Sequence, residues 1–534
     1  LFRLIIKSML HFRRQHLALL LGVMLSTAIL TGALITGDSV DYSLRKMVDL
    51  RLGKTGFALQ SGDRFVRTAL AGELAEKLNT KAAAILQNQG IAINPASNQR
   101  VNQAEILGIG KDFPELSDIK LPDIGTGEAI ISENLALQLG LSVGADLILR
   151  MEKAGVIPVN APFAEENTTP SSLRLRVIAI AGEEQPGRFS LQSNQVAPYN
   201  IFVDRQFLQE QLALEHLVNL ILIRDRETLG AKEVNQAFQE AWKLKDAGLS
   251  ISKIEASGPY ELTSNRIFID PVVADAVESS GLSHQPILTY LVNSIEYDGQ
   301  STPYSFVTAT SPVPGDQALS NREIIINDWL ADDLDVAAGD TLLLKYFIIG
   351  PMRKLKETSR EFIVKSIIPV TDSEANRKLM PDFPGMADAG SCSDWEAGVP
   401  VNMEVIRDKD EKYWDDYRGT PKGFISVETG KELWGNSFGN YTAFRFAPEE
   451  ISEEALADRI RNLLTPMDFG LQFRAVREEG LAAVNNAVDF GELFLSLSFF
   501  VIAAGILLTA LLFSLHVTAR NREGGTLSAI GFSR

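Results

Sequence analysis

An uncharged apolar run close to the C-terminus is the feature that most constrains the fold. From Leu493 to Leu515 the sequence reads LFLSLSFFVIAAGILLTALLFSL and contains no Asp, Glu, Lys or Arg. A helix of about 20 residues rises roughly 30 Å, the thickness of the hydrocarbon core of a bilayer. The run therefore predicts a transmembrane helix over residues 493–515, and the rest of the chain must be distributed between the two sides of a membrane.

A second uncharged run lies near the N-terminus. Leu17–Thr36 reads LALLLGVMLSTAILTGALIT, in which Ser and Thr are the polar side chains. A cleaved signal peptide is the alternative interpretation. This run is long for the apolar region of a signal peptide, and no small-x-small cleavage site directly follows it. We therefore predict an uncleaved transmembrane helix over residues 17–36.

The charges beside the two runs predict which side of the membrane each segment occupies. Residues 1–16 contain four basic residues and no acidic residue, and three basic residues follow the second run. Because basic residues concentrate in cytoplasmic loops, we expect 1–16 and 516–534 to be cytoplasmic and 37–492 to lie outside the cytoplasm. The segment 37–492 carries 44 basic and 67 acidic residues, a net charge of −23, whereas the flanks together carry +6. This asymmetry supports the topology independently of hydropathy.

Length and composition limit the classes of partner and chemistry. A chain of 534 residues is too long for one core and suggests roughly three or four units. The net charge of −17 argues against nucleic acid as a partner, because binding phosphates requires clustered Lys and Arg. The single cysteine, Cys392, excludes a disulfide within the chain.

The large segment contains an internal repeat. Glu128–Leu149 reads EAIISENLALQLGLSVGADLIL, and Glu323–Leu344 reads EIIINDWLADDLDVAAGDTLLL. In both copies a β-rich run leads into a helical pattern, and a glycine then permits a turn before a second apolar run. Nine positions are identical at one constant offset along the chain: Glu128/Glu323, Ile130/Ile325, Ile131/Ile326, Leu135/Leu330, Ala136/Ala331, Leu139/Leu334, Gly144/Gly339, Leu147/Leu342 and Leu149/Leu344.

The repeat predicts an α/β (mixed α+β) extracytoplasmic domain with an internal duplication, flanked by two transmembrane helices. We expect a first lobe over 37–260 and a related second lobe over 261–470, with an insert at 381–421. A repeat of this length indicates a duplicated domain rather than a solenoid. One-faced helical patterns follow, and 471–492 is predicted to be a stalk helix that leads into the second span.

The insert contains an acidic run mixed with aromatic residues, DKDEKYWDDY over 408–417. The favoured interpretation is a solvated face with aromatic side chains packed beneath it. The alternative is a site for a cation or for a partner peptide.

Searches for catalytic and metal-binding motifs give no candidate residue. The segment LGKTGF over 52–57 lacks the first glycine of a P-loop, since Val48 stands at that position. Five histidines, three of them beside the spans, and one cysteine do not form a zinc-binding pattern. No G-x-S-x-G motif is present, and Cys392 is interpreted as a structural thiol. We therefore expect no catalytic residue, no metal site and no cofactor in this chain.

The segment after the second span has a particular spacing of charged and small residues. A basic helix leaving the membrane is the structural alternative, and basic residues alone would not separate the two interpretations. The spacing of the small residues is more specific. The residues concerned are Arg520, Arg522, Glu523, Gly525, Ala529 and Gly531.

These six residues resemble the span-exit signature of the FtsX/MacB family of ABC-transporter permeases, close to R-x-R-E-I-G-x-x-x-A-x-G. The sequence departs from it at Gly524, where a bulky aliphatic residue is usual. The order of span, large external domain and span is similar to that family, and the repeat resembles an element of the MacB-like periplasmic core domain. The segments SNRIFIDPVVADAV, PDFPG and YWDDYRGTPKGF resemble a branch with an expanded external region.

The resemblance implies a permease subunit of the mechanotransmission type in a bacterial plasma membrane. A separate cytoplasmic ABC ATPase would bind ATP and couple to the six residues, and the chain itself would not be an enzyme. Other implied partners are membrane lipid, a second permease or an internal pseudo-dimer, and an extracytoplasmic protein. The substrate class stays open among lipoproteins, lipids, peptides and drugs. The first alternative is a two-span sensor or anchored binding protein without an ATPase, and an enzyme tethered to the membrane ranks third. On the first interpretation we expect the reading frame to continue past Arg534 into further spans.

Overall fold

The structure is a computed structural model of the chain. It describes residues 2–116, 121–151, 155, 157, 162, 171–182, 186–192, 196–226, 228–255, 258–315, 318–350, 354–371, 374–383, 385–387, 389–395, 398–448, 451–486 and 490–531. Contacts divide the chain into two compact units. Unit 1 contains Leu1–Lys54, Arg188–Ala197 and Val476–Arg534, and unit 2 contains Thr55–Gly187 and Pro198–Ala475.

Helices and strands alternate along most of the chain. The helices are α1 (Phe2–His11), α2 (Arg13–Leu52), α3 (Ala69–Lys77), α4 (Glu133–Leu139), α5 (Arg205–Leu212), α6 (Ala231–Ala241), α7 (Pro271–Ser279), α8 (Asp328–Leu334), α9 (Glu374–Arg377), α10 (Asp408–Tyr417), α11 (Val427–Trp434), α12 (Glu453–Arg461), α13 (Val476–Asn486) and α14 (Phe490–Ala529). The strands are β1 (Thr55–Gln60), β2 (Val66–Arg67), β3 (Ala82–Ile93), β4 (Arg100–Ile109), β5 (Glu128–Ser132), β6 (Asp146–Met151), β7 (Ser171–Ala181), β8 (Tyr199–Asp204), β9 (Leu217–Val218), β10 (Leu220–Arg224), β11 (Leu249–Lys253), β12 (Tyr260–Ser264), β13 (His284–Tyr297), β14 (Gln300–Thr310), β15 (Glu323–Asn327), β16 (Thr341–Ile349), β17 (Leu355–Ile368), β18 (Gly423–Ser426), β19 (Ala443–Phe446) and β20 (Phe473–Arg474).

Unit 1 is helical. Among the described residues one helical segment, Phe499–Ala529, is long and apolar enough to cross a membrane. The run predicted as the first span lies within α2, which is a single helix of 40 residues, and its insertion in a membrane stays a prediction. Helices α2 and α14 lie close together, since a Cβ added at Gly22 would be 3.4 Å from Cδ1 of Leu512. Arg477 of α13 forms an ion pair of 2.6 Å with Asp49 of α2.

Unit 2 contains two similar barrel-like sheets of nine strands each. The strand order is β20-β1-β10-β3-β4-β8-β5-β7-β6 in the first sheet and β11-β12-β19-β13-β14-β18-β15-β17-β16 in the second. A pairing of β3 with β6 closes the first sheet, and a pairing of β13 with β16 closes the second. A small sheet of β2 and β9 completes the unit. The two matching orders indicate an internal duplication.

The repeat seen in the sequence is the same strand–helix–strand element in both sheets. Strand β5, helix α4 and strand β6 correspond to β15, α8 and β16, in the register of the nine identical positions. Both first strands run parallel to a later strand, and both pairings shift register at the equivalent step, between Ala129 and Ile130 and between Ile324 and Ile325. The conserved geometry extends to a backbone irregularity, which confirms the predicted repeat.

The matched glycines explain the turn that follows each repeated helix. Gly144 has φ +91° and Gly339 has φ +102°, a region in which a side chain is strained. Each N–H donates a 2.7 Å hydrogen bond across the sheet, to the carbonyl oxygen of Val177 or of Val364. Glycine therefore allows the chain to turn between the helix and the next strand.

The two sheets exchange their terminal strands. Strand β11 follows α6 of the first half of unit 2 but pairs with β12 in the second sheet. Strand β20 follows α12 of the second half but pairs with β1 in the first sheet. A second repeat marks the exchange, since LKDAGLSI over 244–251 and PMDFGLQF over 466–473 share Asp, Gly and Leu at equivalent positions. The exchange of strands is not among the expectations from the sequence, and the lobe boundaries 37–260 and 261–470 stay a prediction.

Candidate functional site

The predicted coupling segment is part of one long helix. Helix α14 runs without a break from Phe490 to Ala529, through Gly524 and Gly525. The helix ends before Gly531, which has φ +98°. The sequence predicts a span up to residue 515 and a separate segment from residue 516. In the structure both belong to one continuous helix. Residues 532–534 lie outside the described residues.

One face of this segment contacts the N-terminal residues. The guanidinium of Arg520 donates to Oε2 of Glu523 at 3.2 Å and to Oγ of Ser8, and it lies 5.3 Å from the ring centroid of Phe12. One turn earlier, Nδ1 of His516 lies 3.1 Å from Oε1 of Gln15. Arg520 and Glu523 are therefore engaged within the chain.

The other face is free of such contacts within the described part of the chain. Arg522, Gly525 and Ala529 are exposed, and their spacing of three and four residues places them on one side of the helix. A Cβ added at Gly524 or at Gly525 would meet no atom within 4 Å. One exposed guanidinium beside small residues forms a surface that another backbone can approach closely.

The structure thus divides five of the six predicted residues into two groups. Arg520 contacts the N-terminal segment and pairs with Glu523, and Arg522, Gly525 and Ala529 line the exposed face. Gly531 ends the helix rather than joining either group. The contacts with residues 8–15 were missed by sequence reasoning, because they join positions far apart in the sequence and no local pattern records them.

In unit 2, the acidic insert helix α10 is anchored to the repeated element. Asp333 of α8 has a side chain that is 2% exposed, and it accepts hydrogen bonds from Arg407 and from Thr302 and contacts the ammonium of Lys409. Burial alone would raise the pKa of Asp333, but these hydrogen bonds and the charge of Arg407 lower it. The anchor is therefore a carboxylate held between cations.

Three of the five acidic residues in the run follow the favoured interpretation, whereas Asp410 is buried and pairs with Arg407, and Glu411 accepts from the N–H of Cys392. Asp408, Asp415 and Asp416 are exposed, whereas Tyr413 and Trp414 are buried. The insert presents a solvated acidic face over packed aromatic side chains. No group of three or more His, Cys, Asp or Glu residues that could hold a metal ion occurs among the described residues.

A small aromatic cavity lies beneath the insert. Its volume is about 20 Å³, room for roughly one water molecule. The ammonium of Lys422 lies 4.3 Å from the ring centroid of Trp329 and 4.6 Å from that of Tyr413, and burial lowers the pKa of Lys422 to about 8. Burial also raises the pKa of the Cys392 thiol, with further contributions from Glu411. A protonated thiol in a cavity of this size agrees with a structural role for Cys392.

Comparisons with known proteins give limited structural likenesses. The periplasmic region of MacB from Actinobacillus actinomycetemcomitans is 11% identical over a match that covers 35% of this chain and 85% of that chain, with a TM-score of 0.24. The extracellular domain of the noncanonic ABC-type transporter YknZ from Gram-positive bacteria is 12% identical over 33% of this chain and 80% of that chain, with a TM-score of 0.21. No protein-family model and no curated protein matches the chain. Likenesses of this extent do not place the chain in a family.

Proposed function

We propose that this chain is the permease subunit of an ABC transporter of the mechanotransmission type. A separate cytoplasmic ATPase binds and hydrolyses ATP, and the chain passes the resulting movement to its extracytoplasmic lobes. The observation that carries the proposal is the exposed face of Arg522, Gly525 and Ala529, which matches the resemblance stated above and lies on the same helix as the apolar run. Membrane lipid surrounds the spans, and a second permease or a pseudo-dimeric partner completes the assembly.

A continuous helix suits the transfer of movement. Forty residues at about 1.5 Å each give a rod of roughly 60 Å. A tilt imposed at the end that carries Arg522 is passed along such a rod, because no break in the helix absorbs it. The exposed guanidinium offers a charge for an acidic group of the ATPase, and the small residues allow a close approach.

The connections between helices and sheets favour the same mechanism. Strand β1 follows α2 directly in the chain, and β20 directly precedes α13. These two strands are antiparallel neighbours, with Ala58 opposite Arg474 and Leu59 opposite Phe473. A relative shift of the two connecting helices would therefore act on one pair of strands. The lobes would respond by changing how they hold a substrate or partner outside the cytoplasm.

The test is Gly525→Leu in the full chain, reconstituted with the ATPase encoded beside it. Because an added Cβ meets no atom of this chain within 4 Å, the substitution probes the partner rather than internal packing. We expect stimulation of ATP hydrolysis by the permease to fall about tenfold or more, an ordinary size for a coupling effect. Glu523→Lys together with Gly525→Leu should uncouple fully while the lobes stay folded.

The matched control is Gly524→Ile. This position is equally open, and a bulky aliphatic residue is usual there in the family that the segment resembles. We expect coupling in this variant to be retained. Normal stimulation of ATP hydrolysis by the Gly525→Leu variant would contradict the proposal that this face binds an ATPase.

A further inference from the structure

A wide polar groove lies on the first sheet of unit 2, away from the residues discussed above. Its volume is about 880 Å³, within the range of ligand sites, but its lining differs from the usual apolar one. Seven of the twelve described lining residues are Asn or Gln, and Arg150 is the one that carries a charge. The groove is built from the end of β1, the middle of β3, the start of β4 and the end of β6, with Asn219 between β9 and β10.

Part of this amide set shapes the groove itself. Nε2 of Gln87 and of Gln89 donate to the two carboxylate oxygens of Glu105, at 3.0 and 2.7 Å. The carboxamide of Asn219 accepts from the backbone N–H of Gln87 at 2.8 Å and donates to its carbonyl oxygen at 2.9 Å. These groups form a fixed floor, in which two carboxamides hold the carboxylate of Glu105.

The other polar groups are available for a ligand. Gln60, Asn102 and Gln103 are exposed, and their carboxamides make no hydrogen bond with other described residues. The guanidinium of Arg150 has neither an ion pair nor a hydrogen bond within the same part of the chain. Each carboxamide offers two donor hydrogens and an acceptor oxygen, whereas the guanidinium donates only.

The duplicated lobe provides an internal comparison. Lys345 is the counterpart of Arg150 in the register of the repeat, and the strand pairings that place them, β6 with β3 and β16 with β13, are equivalent. Lys345 forms a 2.7 Å ion pair with Glu296. The same scaffold therefore carries an ion pair in the second lobe, whereas the corresponding guanidinium in the first lobe has no partner among the described residues.

Two carboxamides within the protein, those of Asn219 and Asn235, bind the backbone of an extended segment. Asn219 pairs through both its oxygen and its nitrogen with the N–H and C=O of Gln87, a residue in an extended strand. Asn235 does the same with Phe473, at 2.9 Å in both directions. A carboxamide thus takes the place of a neighbouring strand, since it offers a donor and an acceptor at the spacing of a peptide group.

We propose that this groove binds a polypeptide segment in extended conformation, with a carboxylate of that segment opposite Arg150. The carboxamides of Gln60, Asn102 and Gln103 would pair with its backbone, and the guanidinium would donate hydrogen bonds to its carboxylate. Strand β3 is already hydrogen-bonded to β4 and to β6 along the groove, so it offers no free sheet edge. The segment would therefore be bound by side chains. No described lining residue is aromatic, which disfavours a sugar ring as the occupant. The inference does not require the ATPase coupling proposed above.

The test is selection of a phage-displayed library of random dodecapeptides on the full chain in lipid nanodiscs. We expect enriched peptides that bind in fluorescence polarisation and that lose about tenfold or more in affinity with the Asn102→Ala, Gln103→Ala double variant, the effect of removing one or two hydrogen bonds. Arg150→Ala should weaken peptides with a free carboxylate and leave their amidated forms unchanged. Both sites are exposed, and circular dichroism and melting of the variants confirm the fold.

Lys345→Ala in the second lobe is the matched control and should bind the enriched peptides normally. Enriched peptides that bind the wild-type chain and the Asn102→Ala, Gln103→Ala variant equally would overturn the proposal. A selection without enrichment would also overturn it. So would binding of chitohexaose that is lost in the same variants, because that result assigns the groove to a glycan.

Discussion

At the scale of single residues, Asp333 shows how burial and charge together determine a pH response. Its side chain is 2% exposed and lies between Arg407 and Lys409 at the start of the insert helix. Cationic hydrogen-bond donors lower its pKa despite the opposing effect of burial. The folded chain therefore binds a proton at this site less readily than the unfolded chain does.

The first prediction concerns acid stability. Because the folded pKa of Asp333 is depressed, its contribution is complete above the unfolded value, about 3.9, and is lost as the pH falls through the lower folded value. We expect Asp333→Asn to lower the free energy of unfolding by about 1–3 kcal/mol at pH 7. The difference from the wild-type chain should shrink as the pH falls below about 4, as measured by chemical denaturation at each pH.

Asp332→Asn is the control for this prediction, since the neighbouring side chain is exposed. It should change the free energy of unfolding by less than about 0.5 kcal/mol. A gap between the Asp333→Asn and wild-type chains that stays constant between pH 7 and pH 3 would contradict the assignment of a depressed pKa.

At the scale of elements, β20 is a strand of two residues that needs support from both sides. It pairs with β1 on one side, and Asn235 of α6 caps it on the other. Phe473 is 1% exposed and packs edge-to-face on Phe238, with the ring centroids 5.5 Å apart. Such a short strand stays in the sheet because its backbone groups find partners on both sides.

The second prediction concerns this cap. Asn235→Ala leaves the N–H and C=O of Phe473 without their partners in a buried place, which costs about 1–3 kcal/mol in the free energy of unfolding. Hydrogen exchange at the Phe473 amide should become faster in this variant. Gln236→Ala is the control, because among the described residues its side chain donates to Glu240 alone, on the same helix. Equal protection of Phe473 in both variants would show that Asn235 does not hold the strand.

The repeated element and the exchanged strands differ in how far the sequence predicts them. The repeat at 128–149 and 323–344 was predictable, because a strand, a helix and a glycine turn each leave a local pattern. The exchange of β11 and β20 was not predicted, although the Asp-x-Gly-Leu repeat at 246–249 and 468–471 marks it. The sheet that a strand joins depends on contacts with residues far away in the sequence. The local pattern therefore predicts the strand but not its pairing partner.

The two candidate sites also differ in how much of each the sequence predicts. The location of Arg522, Gly525 and Ala529 on one side of the helix follows from helical spacing alone. The contact of Arg520 with Ser8 does not, since it depends on how two distant helices pack. The groove has a weak sequence signal in the density of Asn and Gln over 87–103, QNQGIAINPASNQRVNQ. Its shape depends on four strands that meet only in the fold.

At the scale of the whole molecule, the reciprocal exchange makes the two halves of unit 2 depend on each other. Residues 55–255 contain β11, which pairs with β12 in the other half. Residues 258–475 contain β20, which pairs with β1 in the first half. Buried residues such as Leu249, Leu262 and Phe473 lie on these exchanged strands or their partners. Either half alone would expose this apolar surface together with an unpaired strand edge.

The last prediction follows from that dependence. The two halves, 55–258 and 259–475, should fail to fold when expressed separately and should purify as a stable complex when expressed together. The complex should unfold in one cooperative transition with the circular dichroism of the intact unit, because both exchanged strands again have their partners. Because a soluble half need not be folded, folding of each half is measured by whether it unfolds cooperatively on heating. A first half that unfolds cooperatively by itself would mean that β20 adds nothing essential to the first sheet. The pairing of β1 with β20 could then not carry force between the connecting helices, and the lobes would have to receive movement by another route.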